Sequence, residues 1–88
     1  MGSSPASHVV TLITRQNCHL CADASATMVR LSAELGFAYA ERDVDSDAGL
    51  SDQERFEFGD HVPVILIDGK EHGYWRVEEA RFRRALTR

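Results

Sequence analysis

Cysteine is almost absent from this chain, with only two among 88 residues, at positions 18 and 21. So small a number cannot build the multi-disulfide framework by which small secreted domains compensate for a limited core. Excess positive charge is also missing. The formal net charge is −4, which gives no electrostatic footprint for nucleic acid. No apolar run approaches the ~20 residues that cross a bilayer as a helix. The head Met1-Gly2-Ser3-Ser4-Pro5-Ala6 lacks the basic and apolar regions of a signal peptide. It also misses the myristoylation pattern, because Ala6 stands where that motif needs Ser or Thr. The expectation is a cytoplasmic protein with no membrane and no nucleic-acid partner. In that setting two lone cysteines point to redox catalysis or metal binding and away from a structural staple.

What is present suits one small soluble domain: 43% hydrophobic and 27% charged residues. Residues 1–7 are small and polar and read as a disordered tail, leaving 8–88 as the domain. His8–Thr14 is β-branched and apolar on both faces, the pattern of a central strand covered on each side. Arg15-Gln16-Asn17 breaks it. Then Cys21, Ala24, Met28, Leu31 and Leu35 recur at steps of three and four, one stripe of a helix that Gly36 closes. Asp23 reads as a first-turn acid of that helix. Phe37–Val44 is a second, more polar strand, suited to a sheet edge.

Ser51-Asp52-Gln53-Glu54 is a capping-box pattern for a short helix ending at Gly59, with Leu50, Phe56 and Phe58 as its anchors. Val62–Ile67 is an apolar strand opening on Pro63, and Asp68-Gly69 is a two-residue hairpin signal returning through Glu71 to Trp75. Val77–Leu86 is a last helix, with Phe82, Ala85 and Leu86 inward and Arg81, Arg83 and Arg84 outward. The order β-α-β-α-β-β-α predicts an α/β fold. Its first β-α-β is a right-handed crossover between parallel strands, and the hairpin adds two antiparallel ones.

Cys18-His19-Leu20-Cys21 lies at the junction of the first strand and the first helix, where redox proteins place a reactive dithiol. The helix phase makes the two thiols inequivalent. Cys21 continues the apolar stripe and points inward. Cys18 falls at or before the first helical residue, where unpaired N–H groups and the helix dipole favour a thiolate. Cys18 is therefore expected to be the acidic, exposed nucleophile and Cys21 the shielded resolving cysteine. Arg15 is placed to add positive charge, and His19 to tune the thiolate or relay a proton. A zinc site assembled with His8, His61 or His72 is the rival reading, but neither spacing nor pairing matches a zinc module. Pro63 has two readings, a plain strand-start proline or a cis proline facing the dithiol.

With these residues in hand, the chain resembles the glutaredoxins of the thioredoxin superfamily, and within them a short bacterial glutaredoxin-like group. The likeness runs from about Val9 to Leu86. It rests on Cys18-His19-Leu20-Cys21-Ala22-Asp23-Ala24, on Asp43-Val44-Asp45, and on Val62-Pro63-Val64 leading to Asp68-Gly69. It implies a thioredoxin-like, four-stranded mixed sheet flanked by helices. It also implies Cys18 as nucleophile, Cys21 as resolving cysteine and Pro63 as the cis proline. Val62 would offer main-chain hydrogen bonds to a glutathione-like peptide, and Gly73 would lie beside that ligand. Two departures bear on the ligand. His19-Leu20 replaces the usual Pro-Tyr or Pro-Phe, and Tyr74, followed by Trp75, replaces a second glycine.

The leading expectation is a monomeric thiol–disulfide oxidoreductase acting on protein or low-molecular-weight mixed disulfides and recycled by a reducing system. It would have no tightly bound cofactor, and glutathione or another small thiol would be co-substrate. Two alternatives use the same scaffold: a module binding a metal or iron–sulfur cluster, and an adaptor with a non-catalytic dithiol and a Tyr74-Trp75 docking surface.

Overall fold

The computed structural model describes residues 4–87. Its main elements are β1 (Val9–Thr14), α1 (His19–Leu35), β2 (Ala38–Asp43), α2 (Asp52–Gly59), β3 (Val64–Ile67), β4 (Lys70–Tyr74) and α3 (Glu79–Thr87). The sheet order is β2-β1-β3-β4, with β1 parallel to β2 and antiparallel to β3, and β3 antiparallel to β4. The apolar β1 is central and the polar β2 is an edge, as their compositions require.

Alternation along the strands divides the core in two. Val10, Leu12 and Ile65 face Ala24, Met28 and Leu31 of α1 and Phe82 and Leu86 of α3. Ile13, Val64 and Leu66 face the opposite side, where Leu50, Phe58 and Val44 cover them. The central strands β1 and β3 therefore carry two apolar faces because helices lie on both sides of the sheet.

Local chemistry sets the element ends. Gly36 closes α1 in the left-handed conformation at φ 84°, with its N–H donating to Ser32 O. The capping box of α2 forms in full: Ser51 Oγ accepts from Glu54 N–H and the Glu54 carboxylate accepts from Ser51 N–H. Asp68 and Gly69 both have positive φ, as a type I′ hairpin turn needs. Asp68 also binds β1 through Val9 N–H and His8 Nδ1.

Four expectations change. Pro5–Ser7 form a single 3-10 turn capped by Ser4, where a disordered tail was expected; residues 1–3 lie outside the described residues. The proline at the first position of that turn has no N–H to leave unpaired. Phe56 does not anchor α2: it is 85% exposed, because the helix turns Phe58 inward and 56 lies two residues out of phase. The helix α1 starts at His19, so Asp23 lies a full turn in and is no first-turn acid. Ala85 is only half-buried, at the margin of the α3 face that Phe82 and Leu86 define.

Candidate active site

β1 delivers the chain to the dithiol. After Thr14, Asn17 takes the left-handed conformation at φ 61°, which its short polar side chain tolerates, and turns the backbone into α1. Cys18 is the N-cap residue of that helix, extended at φ −101° and ψ 110°. Its sulfur accepts a hydrogen bond from Cys21 N–H at 3.1 Å, so sulfur takes the place that a Ser or Asp oxygen usually fills. Cys18 is partly exposed and Cys21 is buried one turn below. The pair is disulfide-bonded, with Cα atoms 5.1 Å apart. The expected inequivalence is thus present in the geometry: one accessible sulfur on the helix terminus, one sulfur facing the core.

An open cavity of about 580 Å³ lies beside the disulfide. Its walls include Cys18, Cys21, Arg15, His19, Ser25 and Glu41. Arg15 comes to the site, but its guanidinium is engaged. Nε and Nη2 donate to the two Asp45 carboxylate oxygens at 2.9 and 3.0 Å, and Nη1 donates to Gly59 O. That fork holds Arg15 above its ordinary range and Asp45 below the usual carboxylate range. The Arg15 charge is therefore shared with Asp45, and the backbone N–H groups of α1 are the nearer source of positive potential for Cys18.

Strand register brings a second set of expected residues to the same end of the sheet. Val64 pairs with Ile13 on one side and Tyr74 on the other, so Pro63 and Tyr74 lie at the same end of the sheet as the end of β1 from which Cys18 follows. The Val62–Pro63 peptide is cis and Pro63 is buried. Trp75 N–H donates to Pro63 O at 2.7 Å. Neither the N–H nor the C=O of Val62 meets a backbone partner among the described residues. A Cβ at Gly73 would stand 3.3 Å from Arg81 Nη1, so a guanidinium covers that glycine, and Arg81 Nη2 donates to His72 O as well.

Tyr74 and Trp75 stack edge-to-face at 4.9 Å, and the His61 ring lies 5.0 Å from Tyr74. Trp75 holds φ 73° and stays half-exposed. With Leu20, from inside the dithiol motif, and Val77, it lines a second cavity of about 490 Å³. Leu20 and Trp75 thus meet across a groove on the other flank of the cysteines.

Ser25 and Glu41 were not among the expected site residues, and Asp45 figured only in the Asp43-Val44-Asp45 stretch of the family resemblance. Ser25 lies four residues after Cys21, on the same helix face, but Glu41 reaches it only because β2 pairs in parallel with β1. No local pattern signals that meeting. Among the described residues no three His, Cys, Asp or Glu side chains gather as a metal set.

The chain matches the model of the glutaredoxin-like domain family (DUF836) over residues 9–87. It belongs to that glutaredoxin-like family. Uncharacterized proteins of Mycobacterium tuberculosis and Mycobacterium bovis are each 44% identical to it over 80 residues, covering 90% of this chain and 82% of theirs. Among solved structures, a Staphylococcus aureus protein of unknown function superposes with TM-score 0.63 at 14% identity, covering 90% of this chain and 87% of the other. Fasciola hepatica thioredoxin gives 0.59 at 20%, covering 90% and 77%. The holo form of glutaredoxin C1 from Populus tremula x tremuloides gives 0.54 at 22%, covering 92% and 80%. These likenesses establish a thioredoxin-like fold. The glutaredoxin-like fold with its Cys18–Cys21 pair in CxxC spacing supports a thioredoxin-like redox role.

Carboxylates at both ends of β1, Asp45 beside the dithiol end and Asp68 at the opposite one, make stability acid-sensitive. Asp45 is lowered from 3.8 chiefly by its hydrogen bond from Arg15, and Asp68 from 3.8 chiefly by Val9 N–H, then by His8. A depressed folded-state pKa contributes stability that is complete above the unfolded value and is lost as pH falls through the folded one. Urea midpoints measured between about pH 5 and pH 2 are therefore expected to fall only below about pH 4. The decline should be shallower in Asp45→Asn.

Proposed function

We propose that this protein is a thiol–disulfide oxidoreductase in which Cys18 attacks and Cys21 resolves. The reduced Cys18 thiolate attacks a substrate disulfide, forming a mixed disulfide and releasing one thiolate. Cys21 then attacks Cys18, closes the Cys18–Cys21 disulfide and releases the second. The dithiol loses two electrons and the substrate disulfide gains them. The observation that carries this reading is the Cys18 sulfur at the N-cap of α1, accepting the Cys21 N–H while Cys21 lies buried one turn below. Backbone donors that hold a sulfur there favour its anionic form.

The substrates in this reading are protein or low-molecular-weight mixed disulfides. Glutathione or another small thiol, and behind it a reducing system, return the dithiol to its reduced form, and no tightly bound cofactor takes part. The unpaired Val62 main chain beside Pro63 is the docking edge for an extended segment, by the same hydrogen bonding that adds a strand to a sheet edge. Leu20, Tyr74 and the covered Gly73 shape its surroundings. The working protein is a cytoplasmic monomer.

Cys21→Ser tests the assignment. Reduced C21S protein, mixed with a disulfide substrate, is expected to hold it as a stable one-to-one adduct on Cys18, read by intact mass. Wild type should hold it only transiently, and C18S/C21S not at all. Failure of C21S to capture any disulfide would overturn the reading.

A further inference from the structure

Trp75 holds a conformation that few residues of its size adopt. Its φ is 73°, and Arg76 N–H donates to Tyr74 O at 3.0 Å, which makes a γ-turn centred on Trp75. The form of that turn with positive φ is rare and strained, and a bulky side chain makes it costlier. Glycine would take the same backbone at no steric cost, yet an indole stands here. Strain of this kind survives only where the surroundings fix it, and it gathers at ligand clamps. Here Trp75 N–H is tied to Pro63 O at 2.7 Å, and the rings of Tyr74 and His61 support the indole at 4.9 and 6.4 Å. The turn therefore fastens the Trp75 ring to the segment that carries the Val62 edge.

The cavity of about 490 Å³ that this ring lines has apolar walls and a balanced rim. Leu20 and Ala24 of α1 form one wall, Trp75 and Val77 the other. Leu20 and Trp75 are both half-exposed, so apolar surface is left for a ligand to cover. Asp23 and Arg76 add one charge of each sign, and neither side chain has a partner among the described residues. The Thr27 hydroxyl is already satisfied by Asp23 O at 3.1 Å. The rim is thus neutral and draws neither an anion nor a cation.

We infer that this cavity seats a large apolar side chain of a protein substrate, two residues from the cysteine that Cys18 attacks. The inference rests on the dithiol reading above and names the substrate class of the same site. An extended segment hydrogen-bonded along the Val62 main chain sends every second side chain to the same face, about 7 Å apart. With its cysteine directed at Cys18, the side chain two residues away points into the protein as well. Leu20 lies two residues past Cys18 and Trp75 is bonded to Pro63, so the groove continues the docking edge. A side chain of Leu or Phe size covers the exposed parts of Leu20 and Trp75 and needs no polar partner.

Peptides with a single cysteine, carried as a mixed disulfide with thionitrobenzoate, test this. The Cys18 thiolate attacks the peptide sulfur and expels the coloured thiolate, and Cys21 then displaces the peptide thiolate. The dithiol loses two electrons and the mixed disulfide gains them. Peptides that differ only in Phe or Ser two residues before or after the cysteine are compared by stopped flow. The reduced wild type is expected to prefer Phe over Ser about tenfold or more at one of the two positions, the scale of burying an apolar side chain. Trp75→Gly keeps the turn but removes the ring, and its preference should fall to about twofold or less. Trp75→Phe should retain most of the preference. Phe56→Ala, which removes an exposed ring from α2, should keep it in full. Each value is a ratio within one variant, so altered thiol reactivity or a partly unfolded fraction cancels.

A wild type that does not distinguish Phe from Ser at either position, or a preference that survives in Trp75→Gly, would overturn the groove assignment and leave the dithiol reading standing. So would a glutathione–thionitrobenzoate disulfide that outpaces the Phe peptide in wild type and loses that lead in Trp75→Gly, since the groove would then hold a small thiol. A wild type that releases no coloured thiolate would instead remove the dithiol reading, and this inference with it.

Discussion

Cys18→Ser is expected to abolish disulfide reduction while leaving the fold intact. The loss is complete and not merely large, because the chemistry passes through a sulfur–sulfur bond on residue 18 and a hydroxyl oxygen cannot form one. Many active-site substitutions confound catalysis with folding; here the two separate cleanly. Serine is among the best N-cap residues, and its oxygen accepts the Cys21 N–H that the Cys18 sulfur accepts now. The start of α1 should therefore survive. Turnover with a mixed-disulfide substrate should fall to the rate without protein. The urea midpoint should match that of the reduced wild type, which also lacks the disulfide. Residual turnover above the uncatalysed rate would show that some other group attacks the substrate, contrary to the assignment of Cys18.

Phe82→Ala should have the largest effect on stability. Phe82 is fully buried, packed edge-to-face against Phe37 at 5.5 Å and against the His72 ring at 5.8 Å. It bridges α3 to the β1 face of the core, among Val10, Leu12, Met28 and Ile65. Removing a buried aromatic ring costs about 3–5 kcal/mol, the lost transfer energy plus the cavity that remains. A domain of this size holds roughly 4–13 kcal/mol in all. The variant should thus lose a large share of its stability, and Tm should fall by more than about 12 °C. Phe82→Leu keeps most of the volume and should cost less than half as much. A change of under about 1 kcal/mol in Phe82→Ala, from urea unfolding with an unaltered slope, would show that α3 contributes little to the core.

Much of this was legible because it depends on neighbours in sequence. The stripe Cys21, Ala24, Met28, Leu31 is the face α1 buries. Gly36, Ser51 with Glu54, and Asp68-Gly69 act where their own backbone needs them, so each marks an element end without reference to the rest of the fold. Phe56 shows the limit. A short helix offers two competing phases, and only the surface it packs against selects between Phe56 and Phe58. Arg15 shows another. Its distance from Cys18 along the chain suggested a cation for the thiolate, but its partner Asp45 lies 30 residues away and is brought in by the parallel pairing of β2.

The site divides in the same way. Cys18 and Cys21 are three residues apart, so one turn of helix is enough to assign an N-cap sulfur and a buried one, and the sequence carries that assignment complete. The cis state of the Val62–Pro63 peptide, the meeting of Leu20 with Trp75 and the placing of Glu41 beside the dithiol belong to the folded sheet. Each joins segments that the chain keeps 16 or more residues apart or sets a backbone state that local composition permits but does not impose. Such contacts form only when strand register is fixed, and register is chosen by the two-sided core as a whole.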